Sequence, residues 1–294
     1  MIDNLITYLK NKQVHTPRLA LARFLLAFGM LLTLLFNDMS IVANHNYDKL
    51  PEYSAKHTVA RSVPFKQLDL FMVIPPATAK IVVMVILLLV MSGFVPQVTA
   101  ILHFIACFSY HNYFLIVNGG DEVTFVLSLL LIPLCITDPR INQWRATPPK
   151  ASSRNITANI ALMAIQVQAA FIYFSAAYEK LYVQVWKEGT AVYYYTSHYR
   201  LGARSWLQHI NELITLTPVV KVLSWGVLAL ELAIAFALFL STKTKKKLLL
   251  PALLFHLLIV INFGLISFFF AMAGLLVLYL GNNAVEPVAL SSNE

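Results

Sequence analysis

The sequence predicts an all-α fold, a polytopic integral membrane helix bundle with about eight transmembrane helices. The chain is 59% hydrophobic and only 12% charged, and its mean hydropathy is strongly positive. Apolar runs of about 20 residues recur along it, which is the length that an α-helix needs to cross the hydrocarbon core of a bilayer. Basic residues gather in short loops between these runs, as they do in cytoplasmic loops. This composition excludes a soluble globular domain.

Each predicted span is an apolar run that ends at polar residues, glycine or proline. Arg18 and Arg23 stand at the start of the first span, and Pro96 separates the second from the third. The apolar run 248–280 is too long for one helix, and we divide it near Gly264 to Ser267. The predicted spans are 19–36, 77–95, 98–117, 122–136, 157–181, 219–240 and the two halves of 248–280.

Loop charge predicts the orientation of this single membrane domain, residues 1–294. The basic loops between the fourth and fifth spans and between the sixth and seventh belong in the cytoplasm. Eight spans then place both termini in the cytoplasm as well. The predicted cytoplasmic leader is 1–17, and the predicted extracytoplasmic loops are 37–76, 118–121 and 182–218.

Several function classes are excluded or disfavoured. The net charge of +8 lies in inter-helix loops, where it reports topology, so no nucleic-acid partner is expected. Cys107 and Cys135 lie in apolar runs without a CxxC pair or a set of metal ligands, and we predict no metal site. The chain has no P-loop, HExxH, GxSxG or paired intramembrane aspartates, which argues against ATP-driven chemistry and direct peptide-bond cleavage.

The fifth predicted span carries a polar stripe at the point where it leaves the bilayer. Gln166, Tyr173 and Lys180 are seven residues apart, and seven residues drift only about 20° from two full turns, so the three share one helix face. Burial beside apolar rings disfavours the ammonium form of Lys180, which can make a lysine a general base. Alternatively, Lys180 extends to the headgroups or pairs with Glu179. Both interpretations stay open.

The third predicted span carries His103 and His111 on roughly one face. The two are about 12 Å apart along the axis, which is too far for both to bind one metal ion. Each has either a direct functional role or the packing role that a hydrogen-bonded membrane histidine commonly has. We include both among the candidate catalytic residues, with Lys180 and Asp121.

Asp121 follows Gly119 and Gly120 in a turn at the predicted outer surface. The glycines would let the backbone approach a ligand closely, or the turn is a plain one in which Asp121 caps the fourth span. Glu231 lies within the sixth span, where a free carboxylate is costly, so it is either protonated or paired, with Arg23 or His256 as partner.

The segment 186–199, WKEGTAVYYYTSHY, is dense in aromatic rings. Trp186 and Tyr194 in it suit the membrane interface, and they would also suit the binding of an extended peptide or a lipid headgroup. His256 adds a further polar group within an apolar span. Together these intramembrane polar residues predict a polar cavity or a proton path.

Long segments of the chain resemble the sporulation-delaying protein B (SdpB) family. They are LARFLLAFGMLLTLLFND, ILLLVMSGFVPQVTAILH, NGGDEVTFVLSLLLIPLCITDPRINQW and QAAFIYFSAAYEKLYVQVWKEGTAVYYY, in the same order. SdpB-like proteins are grouped with HTTM-domain membrane proteins, which are distantly related to the vitamin K-dependent gamma-carboxylases. That group has YF-x-AG-x-x-KL-x-x-x-W-x-x-G near the end of a span, and YFSAAYEKLYVQVWKEG is similar to it, with Ala177 where glycine is usual.

The resemblance implies roles for two residues. Lys180 stands at the position of the carboxylase lysine that deprotonates the reduced quinone. His111, in HNYF, is similar to the histidine of the carboxylase pattern N-x-H-x-Y, although Ser109 replaces the asparagine. A reduced quinone is thus a cofactor that the resemblance suggests, while the residues alone leave the cofactor unknown.

The resemblance also implies a function. SdpB-like proteins are multi-pass proteins of the bacterial cytoplasmic membrane that are needed, with a small SdpA-like partner, to convert a secreted precursor into an active antimicrobial peptide toxin. We therefore expect a toxin maturation factor with its site on the extracytoplasmic side. A quinone- or lipid-cofactor-dependent membrane enzyme and a non-enzymatic peptide transporter or scaffold are the alternatives.

Overall fold

The all-α prediction is confirmed by a computed structural model, in which the described part of the chain forms thirteen α-helices and two short 3-10 helices. The structure describes residues 2–38, 66–114, 117–148, 150–198, 202–203, 205–215 and 218–281. The α-helices are α1 (Ile2–Asn11), α2 (Pro17–Phe36), α3 (Leu70–Val73), α4 (Pro76–Ser92), α5 (Pro96–Tyr113), α6 (Gly119–Ile136), α7 (Arg154–Lys180), α8 (Gln184–Lys187), α9 (Ala191–Thr196), α10 (Ser205–Thr215), α11 (Val219–Ala235), α12 (Thr242–Phe263) and α13 (Ile266–Leu280).

Eight of these helices coincide with the eight predicted spans: α2, α4, α5, α6, α7, α11, α12 and α13. Among the described residues, five are long and apolar enough to cross a membrane, namely α2, α6, α7, α12 and α11 with the 3-10 turn that extends it to Phe239. The helices α4 and α13 are apolar but shorter. The number of helices that cross the bilayer, and the side on which the termini lie, therefore stay predictions.

Glycine ends two of these helices where the sequence suggested a break. Gly264 has φ +73° and follows α12 directly, as the division of the run 248–280 predicted. Gly93, with φ +72°, ends α4 before Pro96 begins α5, so the second span ends three residues earlier than the predicted 77–95. Such left-handed positions favour glycine because a side chain would clash with the backbone.

The core of the bundle is built around α13, whose residues 271–276 and 278–280 are all buried. α13 packs most extensively against α2. A Cβ atom on Gly29 would lie 2.9 Å from the Ser267 carbonyl oxygen, and one on Gly274 would lie 3.0 Å from the Ala22 carbonyl oxygen. Small residues allow this close approach of backbones, which drives helix association in lipid.

A buried polar network closes the predicted cytoplasmic end of the bundle. Arg140 donates to both Asp138 oxygens, at 2.8 and 2.7 Å, and Gln143 donates to the same carboxylate at 2.9 Å. Arg23 Nη1 donates to Gln143 Oε1 at 2.6 Å. Burial raises the pKa of Asp138, but the hydrogen bond and charge of Arg140 outweigh it and hold the pKa below its usual value. The network thus ties α2 to the segment that follows α6.

The predicted leader and the predicted loop 182–218 are both more ordered than expected. Within the leader, α1 lies against α7, where Asn155 Nδ2 donates to the Lys10 carbonyl oxygen at 2.7 Å. The loop contains α8, α9 and α10, and the Val192 amide donates to Ser224 Oγ of α11 at 3.1 Å. Most of the predicted loop 37–76 lies outside the described residues, since 39–65 are among those not described.

Candidate functional site

Lys180, the last residue of α7, forms an ion pair with Glu231 of α11. The Nζ atom donates to Glu231 Oε1 at 2.8 Å and to the Ala176 carbonyl oxygen at 3.2 Å. The side chain of Lys180 is 24% exposed, while that of Glu231 is 5% exposed. The Trp186 ring centre lies 5.5 Å from Nζ, within the range of a cation–π contact. A carboxylate within a span is thus neutralised by an amine that remains partly accessible.

This pair corrects two expectations. The partner of Glu231 is neither Arg23 nor His256, because Arg23 bonds to Gln143 and to Thr99, and His256 bonds to Tyr173. Lys180 does not pair with its neighbour Glu179, whose side chain is exposed. Consecutive residues on a helix do not face each other, whereas two packed helices bring distant residues together.

Tyr173 and His256 form a second buried pair. The hydroxyl of Tyr173 and Nε2 of His256 are 2.7 Å apart, and each residue is only 2% exposed. Ala252 and His256 are the only fully buried residues among the described side chains of α12, whose other residues are partly or wholly exposed. A histidine placed inward on such a helix is the exception to its composition and indicates a polar interior at this depth.

The two pairs are neighbours, and we name them the outer polar cluster, after the side of the membrane on which the sequence predicts them: Lys180, Glu231, Tyr173 and His256. The charge of Glu231 acts on Tyr173, and that of Lys180 acts on His256. Glu231 Oε2 and His256 Nδ1 are buried and have no hydrogen-bond partner among the described residues. Buried polar atoms of this kind are uncommon because each costs the free energy of its lost hydration. Because two of them lie together here, this cluster is the candidate site.

The turn that contains Asp121 is a helix cap. Asn118 Oδ1 accepts from the Gly120 amide at 2.7 Å, and Asp121 Oδ2 accepts from the Asn118 amide at 3.0 Å, which makes a capping box at the start of α6. A Cβ atom on Gly120 would lie 2.6 Å from the Phe268 Cα atom, and one on Gly119 would lie 3.6 Å from the Phe268 ring. The glycines therefore let α6 approach α13, and this geometry matches the capping alternative for Asp121.

The Phe268 side chain separates this turn from the outer polar cluster. Its ring centre lies 5.4 Å from that of His256. Among the described residues, no hydrogen bond or ion pair joins Asp121, His103 or His111 to Lys180. The structure thus brings Tyr173, Lys180 and His256 together, with Glu231, and leaves the other three candidates apart.

The two histidines of α5 lie in different surroundings. His111 stacks on Phe125 at 4.9 Å and places Nδ1 3.4 Å from Glu122 Oε1. His103 is 1% exposed, and Arg23 is near enough to act on it electrostatically.

Ser109, which stands where the carboxylase pattern has asparagine, accepts a hydrogen bond from the Leu70 amide at 2.9 Å and so anchors α3.

The remaining candidates differ in burial and in their position relative to the outer polar cluster. Trp186 is buried beneath Lys180, whereas Tyr194 is exposed. Gln166 is half-buried two helical turns below Tyr173. The residue that sequence reasoning placed with the wrong partners is Glu231. The sequence did contain a sign of the correct pairing. A single carboxylate in an apolar span needs a cation as partner, and Lys180 is a lysine near the end of another span.

Two proteins of Bacillus subtilis (strain 168) are similar to this chain over nearly its whole length. The uncharacterized protein YitO is 31% identical over 290 residues, which cover 95% of this chain and 91% of YitO. The sporulation-delaying protein SdpB is 29% identical over 287 residues, which cover 95% of this chain and 86% of SdpB. No family model matches the chain, and no solved structure matches it.

Proposed function

This chain belongs to the family of YitO and the sporulation-delaying protein SdpB, and we propose that it is a membrane factor needed to produce an exported antimicrobial peptide toxin. Its proposed partners are the secreted toxin precursor and a small SdpA-like protein. Its proposed location is the bacterial cytoplasmic membrane, with the outer polar cluster on the extracytoplasmic side. The similarity covers 86% of SdpB, so the proposal concerns the whole chain and not one module.

The ion pair of Lys180 and Glu231 is the observation that carries the proposal. A charged side chain within a span costs several kcal/mol, and such residues usually mark functional sites. The pair is incomplete as a structural element, because Glu231 Oε2 has no partner among the described residues. The amine is also reachable, since a quarter of the Lys180 side chain is exposed.

The pair can supply a base in a poorly hydrated environment. Transfer of one proton from the ammonium of Lys180 to the carboxylate of Glu231, along their 2.8 Å hydrogen bond, leaves a neutral amine and a neutral acid. The neutral amine can then accept a proton from a substrate, while Glu231 holds the proton it received. The Tyr173 hydroxyl and the His256 imidazole extend this hydrogen-bonding surface deeper into the bundle.

Replacement of Lys180 by alanine tests the proposal. We expect Lys180→Ala to abolish the release of active toxin while the protein still accumulates in the membrane, because the base and the partner of Glu231 are both lost. Lys187→Ala is the matched control, since Lys187 is an exposed lysine at the end of α8, seven residues away. Toxin activity is measured in culture supernatant and normalised to the amount of membrane protein.

The conservative variant Lys180→Arg separates the two roles that Lys180 can have. Arginine keeps the positive charge but does not give up its proton in proteins. If Lys180 is a base, Lys180→Arg is as inactive as Lys180→Ala; if it is a charge partner, Lys180→Arg retains output. Normal output from Lys180→Ala itself would remove this residue from the mechanism and leave a transport or scaffold role.

A second candidate function is a membrane enzyme that uses a reduced quinone. It is favoured by the partly exposed amine of Lys180, a group that can take the proton of an acidic ring hydroxyl. Such a cofactor supplies reducing equivalents, and Lys180 is the group of this chain that would take its proton. The test is extraction of lipids from purified protein, with mass detection of quinone. A quinone present in Lys187→Ala and absent from Lys180→Ala would support this candidate, and its absence from both would count against it.

A further inference from the structure

Helix α10 turns its apolar side away from the protein. Trp206, Ile210, Leu213 and Ile214 follow the spacing that places residues on one helix face, and all four are exposed. The exposed fraction reaches 74% for Leu213 and 64% for Trp206. An amphipathic helix on a water-soluble protein buries such a stripe, so this one is adapted to an apolar environment outside the protein.

One edge of α10 faces the rest of the molecule, and Leu207 on that edge is buried. Gln208, Asn211 and Glu212 line a cavity of about 180 Å³ together with Thr196 and Ser197 of α9. Asn211 Nδ2 also donates to Asn262 Oδ1, at 2.9 Å, next to the end of α12. These contacts fix the rotation of α10 about its axis. They leave the apolar stripe on the outside of the protein, and next to it the polar side chains of His209 and Glu212 are exposed as well.

The apolar stripe adjoins the surface that α11 exposes to lipid. Only residues 216–218 separate α10 from α11, and the first two turns of α11 carry the exposed side chains Val222, Leu223 and Trp225. We propose that α10 lies in the membrane interface at the outer end of the bundle, with its apolar stripe at the boundary of headgroups and acyl chains. The partner of this surface is the lipid itself. The inference does not depend on the proposed function.

An interfacial α10 has a consequence for the outer polar cluster. The bond to Asn262 fixes α10 to the end of α12, and His256 lies six residues earlier on that helix. His256 is then about 9 Å, the rise of six helical residues, from the point where α10 is held to α12.

Single-cysteine labelling in membrane vesicles tests the position of α10. Leu213→Cys lies at the centre of the apolar stripe, and His209→Cys is the matched control on the same helix, where the native side chain is 91% exposed. The native Cys107 and Cys135 are buried, so they add little background. With a membrane-impermeant maleimide we expect labelling of Leu213→Cys to be at least about 10-fold slower than that of His209→Cys, because the bilayer covers only the former.

A nitroxide attached at the same two positions gives the second measurement. Position 213 should be accessible to oxygen, which enters lipid, and position 209 to a water-soluble nickel chelate. Equal maleimide rates at the two positions would overturn the proposal. Disulfide cross-linking of Leu213→Cys between two copies of the chain would also overturn it, because a second copy would then be the occupant. If Leu213→Cys does not accumulate, Ile210→Cys takes its place.

Discussion

At the residue scale, buried charge is concentrated at the two ends of the bundle. At the predicted cytoplasmic end, Asp138 receives two hydrogen bonds from Arg140 and one from Gln143, so both of its carboxylate oxygens are bonded. At the outer end, Glu231 uses one oxygen for Lys180 and leaves the other without a partner among the described residues. Both carboxylates are thus paired with a cation, but only that of Glu231 combines an oxygen without a described partner with a partly exposed amine.

His15 makes the stability of the folded protein depend on pH. Burial is the main cause that lowers its pKa from the ordinary value of 6.5, and its Nε2 lies 3.3 Å from the Leu134 carbonyl oxygen. Because the folded state favours neutral His15, its contribution is complete above pH 6.5 and is lost as the pH falls from 6.5 toward the lower folded value. Asp138 does not act in this range, since its pKa lies below 3.8.

Thermal unfolding in detergent measures this effect. We expect the unfolding temperature to fall between pH 6.5 and 5, and His15→Gln to flatten that fall, because glutamine can bond to Leu134 without taking up a proton. His209→Gln is the control, as His209 is exposed on α10. An unchanged pH profile in His15→Gln would show that His15 is not responsible.

Sequence reasoning found most of the residues of the outer polar cluster but not their partners. Lys180, Tyr173, His256 and Glu231 each stand out as polar residues in apolar runs. Which of them meet depends on how helices distant in sequence rotate and pack, and a single sequence carries no information on that. The pairing of Glu231 with Lys180 across 51 residues illustrates the limit.

At the element scale, α6 and α13 depend on a position without a side chain. A Cβ atom on Gly120 would lie 2.6 Å from the Phe268 Cα atom, so Gly120→Ala must push the helices apart. We expect a loss of about 1 to 3 kcal/mol in the free energy of unfolding, the usual cost of overpacking. Gly226→Ala is the control, because a Cβ atom there meets nothing within 4 Å. Comparable unfolding temperatures for the two variants, measured in the same detergent, would contradict the packing account.

Element boundaries were predictable in the spans and not in the connections. Apolar runs of helical length gave the eight long helices, and Gly264 marked the break between α12 and α13. The helices α8 and α9 are only 4 and 6 residues long, too short for a periodic pattern to show in the sequence. Tertiary contacts with α11, such as that of Val192 with Ser224, hold this segment in place.

At the scale of the whole molecule, the predicted orientation places the outer polar cluster outside the cytoplasm. Fusions to alkaline phosphatase test this orientation. The enzyme is joined after a chosen residue in place of the rest of the chain, and it is active only when that residue lies outside the cytoplasm. We expect activity from a fusion after residue 197, in the predicted extracytoplasmic segment. A fusion after residue 247, in the basic loop, should be inactive. The opposite pattern would place the cluster on the cytoplasmic side and contradict a role in work on an exported peptide.

The coupling between Lys180 and Glu231 tests the central claim most directly. The measurement is toxin output from Lys180→Met, Glu231→Gln and the double variant, each normalised to protein in the membrane. If the pair acts as one unit, each single variant loses at least about 100-fold, as expected for a proton-transfer group, and the double variant loses no more than either. Losses that multiply in the double variant, or full output from Glu231→Gln, would contradict the account.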